Sequence, residues 1–109
     1  MRYGFADLGD PSGHEQAGDR PVVVLQVDQL NNHLSTTVVV PTSRVTHHAG
    51  RATTVQLPAA ETGLTEDTHA LCLHVRVLDQ RKLRRKAGQV SPAKLSEIEA
   101  TVAFVLGLP

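Results

Sequence analysis

The sequence predicts a mainly β fold of the α+β class: a small, strongly bent sheet or barrel with one C-terminal amphipathic helix laid on it. Three observations carry that prediction. Residues 21–27 and 36–40 are β-branched runs, residues 53–57 alternate with a period of two, and apolar residues recur every three or four positions near the C-terminus.

Each element follows from local chemistry. Residues 1–8 read as a short opening strand, and Gly9-Asp10-Pro11-Ser12-Gly13 behind it is dense in turn formers, so a loop is expected as far as Asp19. Pro21-Val22-Val23-Val24-Leu25-Gln26-Val27 is too short for a helix and too continuously apolar for a surface strand. That is the pattern of a central strand covered on both faces. Residues 28–35 form a polar connection. Thr36-Thr37-Val38-Val39-Val40 repeats the buried pattern, and Pro41 is expected to end it, because proline has no amide to donate. Residues 53–57 and 69–75 add further strands, for a total of four or five. Asp79 is a good N-cap for the basic stretch behind it, and Gly88 would close a short helical turn. Ser91 then caps a second helix, Pro92 occupies a favoured first position, and Leu95, Ile98, Val102, Val105 and Leu106 form its apolar stripe.

The 109 residues suit a single domain spanning 1–109, and 40% apolar with 20% charged residues excludes collagen-like, low-complexity and strongly charged disordered chains. No apolar run approaches the roughly 20 residues that cross a bilayer, and the N-terminus lacks a signal-peptide order, so a cytoplasmic protein without membrane contact is expected. Cys72 is the lone cysteine and can form no internal disulfide or redox pair; within an apolar strand it reads as a core residue. Six histidines invite a metal, but none pairs with a carboxylate at helical ligand spacing, and His69 and His74 would face opposite sides of one strand. No metal and no cofactor are therefore expected.

Eleven basic and eleven acidic residues cancel, yet residues 1–67 hold four basic against eight acidic groups and residues 68–109 hold seven against three. With only Tyr3, Phe5 and Phe104 as aromatics, any contact with nucleic acid would lean on charge and hydrogen bonds instead of stacking. The glycines between Gly13 and Gly18 lack the lysine-serine ending of a phosphate loop. What remains is Arg20, fixed before a buried strand by Pro21, together with Thr42 and Ser43 just past the second run. If the two strands are neighbours, these residues converge on one rim. A guanidinium beside hydroxyls suits a phosphate, since its planar fork donates two parallel hydrogen bonds. The same residues would equally serve as a buried arginine tying down a turn, with the hydroxyls capping strand-end amides.

The stretch Gly13-His14-Glu15-Gln16-Ala17-Gly18-Asp19-Arg20-Pro21, followed by its hydrophobic strand, resembles the signature of the MazF/PemK ribonuclease toxins. Thr37-Val38-Val39-Val40-Pro41-Thr42-Ser43 and Leu73-His74-Val75-Arg76-Val77-Leu78-Asp79 resemble that family's second and third blocks, and Leu83, Gly88, Leu95 and Ile98 continue its pattern. The resemblance implies an SH3-like β-barrel with a C-terminal helix and a homodimer. It implies the toxin of a type II toxin–antitoxin pair, a metal-independent, sequence-specific endoribonuclease that cleaves single-stranded RNA or mRNA and so inhibits translation and growth. A cognate antitoxin would silence it and would alone bring it to operator DNA. A binding-only relative, engaging an antitoxin or, as CcdB-like toxins do, gyrase, is the alternative.

Carried over by position, Arg20 and Thr42 match the family's catalytic arginine and threonine, with Ser43 the alternative hydroxyl because the strand-end block varies in length. Glu15 and Gln16 fall in the loop that in the family changes on RNA and antitoxin binding, His14 precedes them at a variable position, and all three are assigned to RNA binding. Arg44, His74, Arg76 and Arg81 complete the RNA-binding set. Attack of a ribose 2′-hydroxyl on the adjacent phosphate needs charge stabilisation at phosphorus and no bound metal, and it leaves a 2′,3′-cyclic phosphate and a 5′-hydroxyl. Glu15 and His14 are candidates for the base, and strain into in-line geometry would also serve. The chain departs from the family at Asp19, which sets a negative charge beside Arg20. It departs also at His74, which replaces a common glutamine, and in its short opening strand. The basic cluster Arg81-Lys82-Arg84-Arg85-Lys86 reads as an RNA-tracking surface, an antitoxin patch or a plain solvated face.

Overall fold

The computed structural model describes residues 4–8, 20–44, 50–64 and 66–109, with the backbone alone for 4–8, 20 and 84–87. Strands β1 (Gly4–Leu8) and β2 (Arg20–Val24) precede a one-turn helix α1 (Asp28–Asn31) and the long strand β3 (Thr36–Ser43). Then come β4 (Thr54–Leu57), α2 (Ala59–Thr62), β5 (Thr68–Leu71), β6 (Arg76–Asp79), β7 (Leu83–Gln89) and α3 (Pro92–Leu106). The expected opening loop of residues 9–19 lies outside the described residues.

All seven strands join one antiparallel sheet, ordered β4-β5-β3-β2-β1-β7, with β6 also on β3. β3 organises it. One edge of β3 runs along β2, while its other edge is shared: Thr36 to Val39 pair with β6, and Thr42 and Ser43 pair with β5. The handover between the two partners splits and bends the sheet. The mixed α+β class is as expected, but among the described residues the sheet is open rather than a closed barrel. Its end strands β4 and β7 are not paired with each other; β4 packs against α3 and β7 against α2.

Burial explains the valine runs. Val23 and Val40 face a core built with Val55, Leu57, Ala70, Cys72, Val90 and the α3 residues Leu95, Ile98 and Val102. Val22, Val24 and Val39 face the opposite side and cluster with Leu78. A strand buried on both faces has no reason to alternate, so β2 and the first part of β3 read as continuous apolar stretches. Each fully buried valine contributes on the order of 1.5–3 kcal/mol relative to exposure. β4 has one side open, and its alternation of buried Val55 and Leu57 with exposed Gln56 matches the period-two reading.

Four local expectations are corrected. Pro41 does not end β3; it falls in the handover, between the last residue paired with β6 and the first paired with β5, where its missing amide costs no ladder bond on that edge. Residues 69–75 are not one strand. After β5 the chain makes a 3₁₀ turn, Cys72–His74, which packs against α3, and it returns to the β3 edge as β6. His69 and His74 therefore do not share a strand. Residues 28–35 are not merely connection, since Asn31 is buried there: its Oδ1 accepts from Thr37 Oγ1 (2.6 Å) and Gln26 Nε2 (2.9 Å), and its Nδ2 donates to the Gln26 carbonyl (2.8 Å). Finally, Asp79 does cap, accepting from the Arg81 amide, but the turn covers only Gln80–Lys82 before β7 begins. Pairing of β7 with β1 outweighs the helix propensity of the basic run.

α3 forms as the sequence predicts. The Ser91 side chain accepts from the Lys94 amide, Pro92 occupies the first turn, and Gly107 takes the left-handed conformation at φ 70° that closes the helix. The Leu108 amide reaches the Ala103 carbonyl and the Gly107 amide reaches that of Phe104, which satisfies two of the last carbonyls. The stripe leaves the core in the final turn, where Leu106 is exposed.

Candidate functional site

The start of β2 and the end of β3 meet at one end of the sheet, as the sequence required of the candidate residues. The β2–β3 register pairs Val22 with Pro41, so its continuation sets Pro21 across from Thr42 and Arg20 across from Ser43. On its other edge the Arg20 backbone pairs with Leu8 of β1.

Strand alternation then separates the two hydroxyls. Thr42 pairs with Ala70 on the α3 side of the sheet, is 5% exposed, and donates its hydroxyl to the Pro21 carbonyl at 2.6 Å. Ser43 lies on the other face and is half-buried. There it pairs with His69 of β5, which pairs in turn with Gln56 of β4, so Gln56, His69 and Ser43 form a row across three strands. Gln56 is exposed. His69 is 7% exposed, and its Nδ1 is enclosed without a hydrogen-bond partner among the described residues. A buried polar nitrogen left so costs about 1–3 kcal/mol.

The remaining candidates are spread along the sheet. Arg44, one residue beyond Ser43, is exposed and ion-paired to Glu66. Arg76 opens β6 opposite Val39; it is exposed, and among the described residues it makes no ion pair. His74 is exposed in the turn between β5 and β6. Arg81 is not brought to this end. It follows β6, whose last residue pairs with Thr36, seven residues down β3 from Ser43 or roughly 23 Å along the strand. Its guanidinium grips Asp79, with Nη2 to Oδ2 at 2.7 Å and Nε to both oxygens at 3.1 Å. Those hydrogen bonds pull the Asp79 carboxyl down to about 2 and raise Arg81. His14, Glu15 and Gln16 lie outside the described residues, as do the side chains of Arg20 and of residues 84–86 in the basic cluster.

Among the described residues no three of His, Cys, Asp and Glu gather as metal ligands. Cys72 is buried, and desolvation pushes its thiol up to about 11, which suits packing and opposes nucleophilic use. No helix among the described residues is long and apolar enough to cross a membrane. Gln56 and His69 were not singled out as partners of Ser43 from the sequence. Alternation in β4 pointed Gln56 outward, but cross-strand pairing is written in the fold and not in either segment alone.

An open, mostly antiparallel sheet with a C-terminal helix, and polar residues at the paired ends of β2 and β3, make a small mixed α+β module. Residues 5–106 match the PemK-like, MazF-like toxins of type II toxin–antitoxin systems, and the chain belongs to that family. It is 32% identical over 111 residues to Endoribonuclease MazF of Staphylococcus saprophyticus, an alignment that takes in 99% of this chain and 92% of that protein. It superposes on the MazE–MazF complex of Deinococcus radiodurans (Form-II) with a TM-score of 0.74 at 26% identity, covering 99% of this chain and 94% of that one. A mycobacterial endoribonuclease solved with its cognate antitoxin shares the fold, with a TM-score of 0.80 at 22% identity over 100% of this chain and 96% of that one.

Proposed function

We propose that this chain is the endoribonuclease toxin of a type II toxin–antitoxin pair, cutting single-stranded RNA in a sequence-specific, metal-independent reaction. The observation that carries the reading is the β2–β3 register, which sets the Arg20 position across from Ser43 at a strand end while Thr42 points into the core. The 32% identical relative is named an endoribonuclease, which supports RNA as the substrate class.

In this reading Arg20 stabilises the charge that builds on the pentacoordinate phosphorus, and the Ser43 hydroxyl holds a non-bridging oxygen. Ser43 is taken for that task because it is half-buried on the face opposite α3, whereas Thr42 is enclosed on the α3 side. The ribose 2′-oxygen forms its bond to phosphorus as the bond to the 5′-oxygen breaks. The 2′ proton passes to a base, and the leaving oxygen takes a proton from water. A 2′,3′-cyclic phosphate and a 5′-hydroxyl result. The toxin works as a cytoplasmic homodimer, is silenced by an antitoxin as the Deinococcus relative is paired with MazE, and meets operator DNA only through that antitoxin.

Incubation of the purified protein with a long single-stranded RNA in EDTA, beside Arg20→Ala, tests the reading. Cyclic-phosphate fragments from the wild type, with cleavage by Arg20→Ala lowered about 100-fold or more, are expected. Intact RNA from folded, antitoxin-free wild type would replace this reading with a binding-only module, and cleavage that stops in chelator would sink metal independence.

A further inference from the structure

We infer that Gln56 and His69 form the subsite that reads the base of the nucleotide next to the cleaved phosphate. The inference rests on the nuclease reading above and extends that site sideways across the sheet. Adjacent strands lie about 4.8 Å apart, so His69 stands about 5 Å and Gln56 about 10 Å from Ser43 in one straight row. A base whose phosphate sits at Ser43 lies over these two side chains.

Their chemistry suits base edges and not backbone. Neither carries the fixed positive charge that positions phosphates. The Gln56 carboxamide offers a donor and an acceptor side by side, the pairing that reads an adenine edge, and it makes no hydrogen bond among the described residues. The imidazole, 7% exposed, adds one further donor or acceptor at its exposed edge. His69 has a second mark of use: its Nδ1 is enclosed and, among the described residues, unpartnered at a position that is 7% exposed. An aliphatic side chain would fill that place without an orphaned nitrogen. Packing among the described residues therefore does not account for the residue, whereas a base that meets the small part of the imidazole left at the surface does.

The test is to digest one long RNA with wild type, Gln56→Ala, His69→Val and the double variant, and to sequence all fragment ends. Gln56 is exposed and His69→Val keeps an apolar filling, so thermal unfolding of the variants should stay close to wild type. The expected result is that each variant cuts a broadened set of sites and loses preference at one nucleotide flanking the cut, by about tenfold or more in relative rate. Three other results would overturn the inference: an unchanged motif in the double variant, a uniform loss of cleavage at every site, or a change confined to antitoxin affinity. Wild type that leaves RNA intact would instead remove the nuclease reading on which this one rests.

Discussion

Thr42 and Ser43 are neighbours in sequence and opposites in structure. Thr42 looks toward α3, is enclosed, and spends its hydroxyl holding the Pro21 carbonyl. Ser43 looks the other way, is only half-buried, and joins a row with His69 and Gln56. The difference teaches that a strand end divides its labour by parity. The residue facing the helix locks β2 to β3, and the next residue stands half-buried on the opposite face.

The largest effect expected from breaking this division is on the helix side. Ile98→Ala, at a fully buried position beneath the sheet, should cost about 2–5 kcal/mol in urea unfolding while cleavage per folded molecule stays near wild type. Next comes a crossed pair. Ser43→Ala should lower cleavage about 100- to 1000-fold with stability nearly unchanged. Thr42→Val should do the reverse, losing about 1–2 kcal/mol of stability by stranding the Pro21 carbonyl and keeping most of the activity. If Thr42→Val proves the more damaging to cleavage at matched folding, the assignment of roles by parity is wrong. The smallest effect lies at the far end of the sheet, where Asp79 is held at about 2 by Arg81 instead of its usual 3.8. A depressed carboxyl contributes stability that is fully present above about 3.8 and is lost as pH falls through 2. Asp79→Asn should therefore be slightly less stable than wild type at neutral pH, and the gap in urea midpoint should close between pH 4 and pH 2. Because the pair is exposed, the effect should also shrink with salt.

Much of the scaffold was legible because its signals are local. The valine runs announced two strands covered on both faces, and Ser91, Pro92 and the stripe of Leu95, Ile98 and Val102 announced the helix. The approach of the Arg20 backbone to the end of β3 was legible only on the condition that β2 and β3 are neighbours, which their hairpin-like succession made natural. What escaped was set by partners far away in sequence. The break at Cys72–His74 exists because β3 changes partner and α3 covers Cys72, and nothing within residues 69–75 signals it. Pro41 reads as a stop in isolation and becomes tolerable only at that same handover. The basic run after Asp79 carries helix propensity that lost to pairing with β1. Which hydroxyl faces outward needed the register, because one residue reverses the answer.

The handover in β3 also has a meaning for how the chain tolerates changes in length. Upstream, the connection between β2 and β3 can gain or lose a residue at its surface while the clasp of Asn31 on Thr37 and Gln26 keeps both strands in step. Within residues 40–43 a single insertion would turn the rim inside out, swapping the hydroxyl that braces the sheet with the one on the opposite face. The four residues after Val39 therefore behave as a frame in which spacing, more than residue identity, decides which side chain each face of the strand end presents.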